Sequence, residues 1–147
     1  MDCGPTCLRI IAKHYGKNIS LQKLRQLSET TREGSSLKHL ANTAEHIGFR
    51  TLGVKVDFDK LKEDAPLPCI VFWQQYHFVV VYKIKKDRVW VADPAHGRLK
   101  YSKKEFIKNW VGPNAQHPND KGIALLLEPT PNLKKENAEE AEAPKGL

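Results

Sequence analysis

Residues 76–93 read YHFVVVYKIKKDRVWVAD, and this stretch decides the fold class. Two runs rich in β-branched and aromatic residues, 78–84 and 89–92, flank the polar residues 85–88. Two such runs joined by a short polar segment are typical of a β-hairpin. The stretch therefore predicts an antiparallel sheet in the C-terminal half of the chain.

The segments around this hairpin extend the pattern in both directions. Further strands are predicted at 50–56, 69–73, 99–101 and 123–127, with a short helix at 103–108. The N-terminal half has apolar residues at helical spacing and predicts helices at 6–15, 21–27, 37–47 and 57–61. Gly16 and Gly48 stand where two of these helices should end. Helices followed by antiparallel strands predict an α+β fold.

Length and composition indicate one soluble globular domain. The chain has 147 residues, of which 40% are hydrophobic and 28% charged. No apolar run approaches the ~18 residues of a membrane span, and no signal-peptide pattern opens the sequence. Three cysteines without a framework spacing favour a reducing compartment. The composition shifts after residue 128, so we predict a domain at 1–128 and a linker or flexible tail at 129–147, with a solvated helix over 133–143 as the alternative.

The net charge of +7 could indicate an anionic partner. The cationic residues are scattered over the predicted elements and are not interleaved with aromatic residues, so no nucleic acid partner is predicted. A solvated basic surface is the simplest interpretation. Attraction for an acidic peptide or an anionic membrane surface is the alternative.

The first candidate for chemistry lies in residues 2–7, which read DCGPTC. Cys3 directly precedes a predicted helix, and the free N–H groups and dipole at a helix N-terminus favour a thiolate over a thiol. Gly4 would allow a substrate carbonyl to approach the backbone closely. Cys3 is therefore a candidate nucleophile, and the alternative is a small residue near a frayed terminus.

The other two cysteines are predicted to lie in the core. Cys7 is one helical turn beyond Cys3, beside apolar residues, and Cys69 precedes apolar residues of a strand. The spacing of Cys3 and Cys7 does not match the close cysteine pair of a structural zinc site. No metal site is therefore predicted.

A general base and its partner are suggested by the hairpin. His77 stands at the start of one strand, and Asp93 ends the returning strand at the same end of the sheet. Counting from the turn leaves them offset by roughly three residues, or ~10 Å of strand rise. His96, in the following loop, is the alternative base. Asp93 with Pro94 could instead simply open a turn.

The strings at 2–8, 76–80 and 91–94 together resemble those of the double-glycine leader peptidases. These form the papain-like N-terminal domain of peptidase-containing ABC transporters, which process and export bacteriocins. The resemblance covers essentially 1–128 and implies N-terminal helices packed on an antiparallel sheet. It also implies a cysteine endopeptidase that cleaves a leader after a Gly-Gly pair, with Cys3 as nucleophile, His77 as base and Asp93 orienting the histidine.

The resemblance further implies a setting for the chain. The partners would be a leader peptide and the transmembrane and ATPase domains of an exporter, on the cytoplasmic side of a bacterial inner membrane, and 129–147 would lead toward the membrane domain. The chain itself would need no cofactor, because ATP would be used by a domain outside it. A docking module that binds the substrate without cleaving it is the alternative.

One departure from the family pattern concerns the oxyanion hole. The family carries a glutamine a few residues before the nucleophile, and this residue helps to form the hole. In the 147-residue sequence Met1 and Asp2 precede Cys3, and neither is a glutamine. Gln74 and Gln75 are interpreted as sheet or loop residues. We therefore expect the 147-residue chain to cleave slowly.

Overall fold

The computed structural model describes residues 3–29 and 36–133. Within them the elements are α1 (Cys3–His14), α2 (Leu21–Glu29), α3 (Leu37–Ile47), β1 (Phe49–Val56), α4 (Phe58–Asp64), β2 (Cys69–Trp73), β3 (His77–Lys85), β4 (Arg88–Asp93), β5 (Gly97–Ser102), α5 (Lys103–Trp110) and β6 (Gly122–Pro129). This order confirms the predicted α+β class. None of the helices in these ranges is long and apolar enough to cross a membrane.

The six strands form one sheet in the order β1-β6-β2-β3-β4-β5. All neighbouring strands are antiparallel. The predicted hairpin is present as β3 and β4, with Lys85 paired to Arg88 across the turn. The last strand within the described residues, β6, lies inside the sheet between β1 and β2.

Helices cover both faces of the sheet. The predicted packing of the N-terminal helices is confirmed on one face, where α1 and α3 bury residues against strands β3 and β6, among them Leu8, Ile11, Leu40, Phe78 and Leu125. The other face is covered by α4 and α5, whose buried residues Phe58, Phe106 and Trp110 pack with Val79 and Val81. Each face of the sheet thus has its own apolar cluster.

The ends of α3 and α5 follow from their capping residues. The Ser36 hydroxyl accepts a hydrogen bond from the His39 N–H and begins α3. Gly48, with φ of 116°, ends that helix in the left-handed conformation. Ser102 and Glu105 form a capping box at the start of α5. Ser36 is therefore the N-cap of α3.

The domain extends beyond the boundary predicted at residue 128. Strand β6 continues through Pro129, and the Thr130 hydroxyl donates a 2.6 Å hydrogen bond to the Gly48 carbonyl. Leu133 is 3% exposed and belongs to the apolar cluster under α1 and α3. Residues 129–133 are therefore part of the folded domain rather than a linker. The prediction missed this segment because Leu133 is the buried residue in an otherwise polar stretch. Residues 134–147 lie outside the described residues.

Candidate active site

Cys3 is the first residue of α1 and is 4% exposed. The helix begins there rather than at Thr6, because Pro5 fits the first turn, where no backbone N–H is needed. The free N–H groups of this turn therefore lie beside the thiol. Gly4 is buried, and a Cβ atom on it would lie 3.1 Å from Leu40 Cδ1. Its small size thus serves the packing of α1 on α3, and the close approach of a substrate carbonyl stays a prediction.

Cys7 ties α1 to the strand that begins with His77. Its side chain is fully buried, and its Sγ–H donates to the Phe78 carbonyl at 3.4 Å. Burial raises the pKa of Cys7 well above its usual value, and the negative charges of Cys3 and Asp93 raise it further. The hydrogen bond to Phe78 holds α1 against the first residues of β3. The start of α1 is thereby placed close to the His77 end of the sheet.

Cys69 is buried on the opposite face of the sheet, in the cluster under α4 and α5. It is 0% exposed, and desolvation raises its pKa to about 12. The prediction that Cys7 and Cys69 are core residues is confirmed by their burial. Neither thiol has the properties of a nucleophile at neutral pH.

His77 and Asp93 are in direct contact. Nε2 of His77 lies 2.8 Å from Oδ1 of Asp93, and the two residues are each 4% exposed. The same Asp93 oxygen accepts a 2.8 Å hydrogen bond from the Ala95 N–H. This second bond fixes the carboxylate, which in turn fixes the imidazole. Because Nε2 is occupied, Nδ1 is the ring nitrogen left to exchange a proton with a thiol.

A β-bulge brings these two side chains closer than the count from the turn indicated. Lys83 pairs with Trp90 and Val81 pairs with Val91, so the register shifts by one residue between Val81 and Lys83. The shift removes one residue from the offset between His77 and Asp93. A bulge inserts one unpaired residue and increases the local twist. No local sequence pattern marked this position.

His96, the alternative base, does not take part in the pair. It is exposed in the loop after β4, and its backbone N–H donates to the Asp93 carbonyl at 3.1 Å. Asp93 therefore does open a turn, as the alternative interpretation held. The same residue holds His77, so the two roles coexist.

The turn between β2 and β3 places an aromatic residue at the rim of the site. Gln74 and Gln75 adopt left-handed conformations with φ of 53° and 66°. The Gln74 backbone and side chain donate to Asn109 in α5 at 2.8 Å and 3.0 Å, which holds the strained turn. Tyr76 follows, 72% exposed, with its ring stacked on that of His77 at 5.9 Å between centroids. Tyr76 was not among the residues predicted for the site, although an aromatic residue beside a candidate base was an available signal.

A buried His–Asp pair close to a cysteine at a helix N-terminus, on an α+β scaffold, is the arrangement of papain-like cysteine peptidases. The Peptidase C39 family is matched by residues 1–115 of this chain. The chain therefore belongs to the Peptidase C39 family.

Curated relatives are similar to the same part of the chain. The lactococcin-G-processing and transport ATP-binding protein LagD of Lactococcus lactis subsp. lactis is 43% identical over 116 residues, covering 76% of this chain and 16% of LagD. The colicin V secretion/processing ATP-binding protein CvaB of Escherichia coli is 34% identical over 111 residues, with the same coverage of both chains. This chain thus spans about a sixth of the length of these relatives.

Solved structures share the fold. A double glycine motif protease from an AMS/PCAT transporter, in complex with the leader peptide, superposes with a TM-score of 0.75 at 29% identity, covering 87% of this chain and 84% of that one. The peptidase domain of Streptococcus ComA, described as a bi-functional ABC transporter of a quorum sensing pathway, gives 0.72 at 31% identity, covering 88% and 92%. The papain-like α+β fold with helices on an antiparallel sheet is therefore established for this chain.

Proposed function

We propose that this domain is a cysteine endopeptidase that cleaves the leader of a secreted peptide precursor after a Gly-Gly pair. The observation that carries the proposal is the buried contact between His77 and Asp93 at the sheet end that faces the start of α1. The similarity to a double glycine motif protease in complex with the leader peptide supports the substrate class. The names of LagD and CvaB, which process and export peptides, support it as well.

Acyl transfer follows from the roles of the three side chains. The Cys3 thiolate attacks the carbonyl carbon of the second glycine and forms a tetrahedral oxyanion. As the intermediate collapses, the C–N bond breaks and His77 Nδ1–H protonates the leaving amine. The leader remains on Cys3 as a thioester. His77 then takes a proton from water, whose oxygen attacks the thioester and releases the leader carboxylate and the Cys3 thiol.

Asp93 prepares His77 for both proton transfers. The carboxylate accepts the Nε2–H, so the neutral imidazole keeps its free lone pair on Nδ1. The negative charge also stabilises the imidazolium that exists when Cys3 is a thiolate. In the serine-protease triad the carboxylate binds Nδ1 and the nucleophile uses Nε2. The two nitrogens exchange roles here.

We infer that the domain works with the transmembrane and ATPase domains of an ABC exporter, at the cytoplasmic side of a bacterial inner membrane. The relatives carry "transport" or "secretion" and "ATP-binding" in their names and are about six times longer than the matched region. ATP would be used by a domain outside these 147 residues. No cofactor is assigned to the peptidase site itself.

The test is cleavage of a synthetic Gly-Gly leader peptide, followed by mass spectrometry of both products. Cleavage after the second glycine is expected, together with a thioester on Cys3 that can be trapped at low pH. Cleavage elsewhere would contradict the substrate assignment. Leader binding without any cleavage would instead favour a docking module that presents the substrate to an exporter.

A further inference from the structure

A second concave site lies far from the catalytic pair. It is a cavity of about 660 Å³ between α5, the loop that follows α5, and the turn between β3 and β4. That turn is at the end of the hairpin opposite to His77 and Asp93. The floor of the cavity is apolar and includes Ile107, Pro113, Ala115 and Pro118. Its charged lining consists of Arg88, Lys103, Lys104 and Lys108 against the single acidic residue Asp87.

Two lysines of this lining have no partner in the described part of the chain. Lys104 and Lys108 form no hydrogen bond or ion pair with residues 3–29 or 36–133. They stand four residues apart on α5, where like charges repel each other. Lys104 also lies in the first helical turn, where the positive end of the helix dipole disfavours a cation. Both features are unfavourable for the domain alone and favourable toward a bound anion.

Two nearby acidic groups, Glu105 and Asp120, are held by hydrogen bonds within the domain. The Glu105 carboxylate accepts hydrogen bonds from the Ser102 N–H and hydroxyl in the capping box, and these bonds lower its pKa. The Asp120 carboxylate accepts the N–H groups of Gln116 and His117, at 2.9 Å and 3.2 Å, which lowers its pKa too. The Asp120 contacts also hold the loop that forms one wall of the cavity. The wall is therefore formed before any ligand arrives.

We propose that this cavity binds a phosphate-bearing ligand with an apolar part. The phosphate lies between Lys104, Lys108 and Arg88, whose N–H groups match its oxygen acceptors. The apolar part covers the floor around Ile107. The volume falls within the range of small-molecule sites. Two sources carry this chemistry, an anionic phospholipid headgroup and a soluble nucleotide, and the site is independent of the proposed cleavage.

The basic residues of the neighbouring turn strengthen the field at this cavity. Lys85 and Lys86 precede Asp87 and are exposed at the same end of the sheet. The cations near the cavity outnumber acidic residues such as Asp87 and Asp59, whose carboxylate lies 3.9 Å from Lys103 Nζ. Clustered charge of one sign raises the local concentration of an oppositely charged ligand.

The test uses the 147-residue protein with two probes. One arm measures co-sedimentation with vesicles of equal parts phosphatidylglycerol and phosphatidylcholine, against phosphatidylcholine alone. The other titrates ATP and follows backbone amide shifts by NMR. Binding is expected in one arm, which identifies the source. In the vesicle arm Lys104→Gln/Lys108→Gln should weaken binding by roughly 30-fold, from about 1 kcal/mol per charge near an anionic surface, and in the ATP arm the same variant should weaken binding as well.

A matched control separates this site from general charge. Lys13→Gln/Lys38→Gln removes the same charge from exposed positions on α1 and α3 and should change binding less than twofold. An equal loss in both double variants would overturn the proposal, as would an absence of binding in both arms. Thermal unfolding should show that both variants fold as the parent protein does, with an equal or slightly higher midpoint for Lys104→Gln/Lys108→Gln, because it removes the unfavourable charges on α5.

Discussion

Asp93 holds His77 by the Nε2 atom, at 2.8 Å from Oδ1, and accepts the Ala95 N–H with the same oxygen. The imidazole cannot turn without breaking a buried hydrogen bond, because His77 is 4% exposed. Its orientation is therefore set before a substrate binds. Asp93 therefore has two roles: its hydrogen bonds orient the imidazole, and its negative charge stabilises the imidazolium.

Asp93→Asn tests the charge. The amide oxygen can still accept the two hydrogen bonds, so the fold should persist while stabilisation of the imidazolium is lost. We expect kcat for leader cleavage to fall by up to ~10⁴, the value for the serine-protease analogue, with little change in KM. Steady-state kinetics measures both. His96→Ala should be nearly silent, and a large effect at His96 with none for His77→Ala would overturn the assignment.

Cys3→Ala should abolish cleavage while leader binding, measured by fluorescence anisotropy, is retained. The groups that bind the leader are not the reacting thiol, so loss of the thiol should abolish cleavage and leave binding unchanged. Cys7→Ala should keep cleavage and lower the free energy of unfolding by about 1 kcal/mol, the typical effect of a core substitution. Equal loss of cleavage in both variants would remove Cys3 from the nucleophile role.

The rate of alkylation at pH 8 should distinguish the three thiols. Thiolate is the reactive form, and the fraction present falls tenfold for each pH unit below the pKa. With a pKa of about 12, Cys69 has roughly one thiolate in 10⁴ at pH 8. Iodoacetamide at pH 8 should therefore label Cys3 in the native protein and spare Cys7 and Cys69, as peptide mapping will show. All three should label in guanidinium, and rapid native labelling of Cys69 would contradict its burial.

Gly48→Ala measures the docking of the segment after β6. Gly48 has φ of 116°, and a Cβ atom there would lie 2.5 Å from the Leu133 backbone. Gly16→Ala is a matched control, because Gly16 has φ of 86° and a Cβ atom there would meet nothing within 4 Å. Urea unfolding should show a loss of about 1 kcal/mol for Gly16→Ala from strain alone. Gly48→Ala should lose at least about 2 kcal/mol, and equal losses would mean that Leu133 is not docked there in solution.

The oxyanion donor gives a further prediction. Extending the 147-residue chain by about six to ten residues that place a glutamine upstream of Cys3 should raise kcat by ~10²–10³, with KM nearly unchanged. A donor that acts on the developing oxyanion stabilises the transition state more than the bound substrate. Single-turnover cleavage by both chains measures the difference. Comparable rates would show that another donor already meets the oxyanion.

The elements could be predicted because their signals are local. The β-branched and aromatic run at 78–84 and the capping by Ser36 and Gly48 depend on neighbours in sequence, and the predicted boundaries fall within a few residues of those observed. Long-range features could not be predicted in this way. The bulge near Val81 depends on how two strands pair, and the docking of Leu133 depends on a contact with Gly48 far away in sequence.

The features of the candidate site also divide into those with a local sequence signal and those that depend on long-range packing. Residue type and order were enough to select Cys3, His77 and Asp93, and the contact between the last two is present. The stacking of Tyr76 on His77 depends on the left-handed turn at Gln74 and Gln75, which Asn109 of α5 holds from outside. The cluster of Lys104, Lys108 and Arg88 likewise forms only when α5 meets the hairpin turn. The contacts in both arrangements depend on segments that are far apart in sequence, although Tyr76 itself stands next to His77.

The interior position of β6 has a consequence for synthesis on the ribosome. Strand β1 pairs with β6 and with no other strand of the described sheet, yet β1 is made long before β6. At about 5–20 residues per second, several seconds separate the two strands. During that interval the nascent chain carries an unpaired β1 and an open edge on β2, both of which can pair wrongly with another chain. Completion of this domain therefore waits for its last strand, and cellular factors that shield exposed strand edges should matter most in that interval.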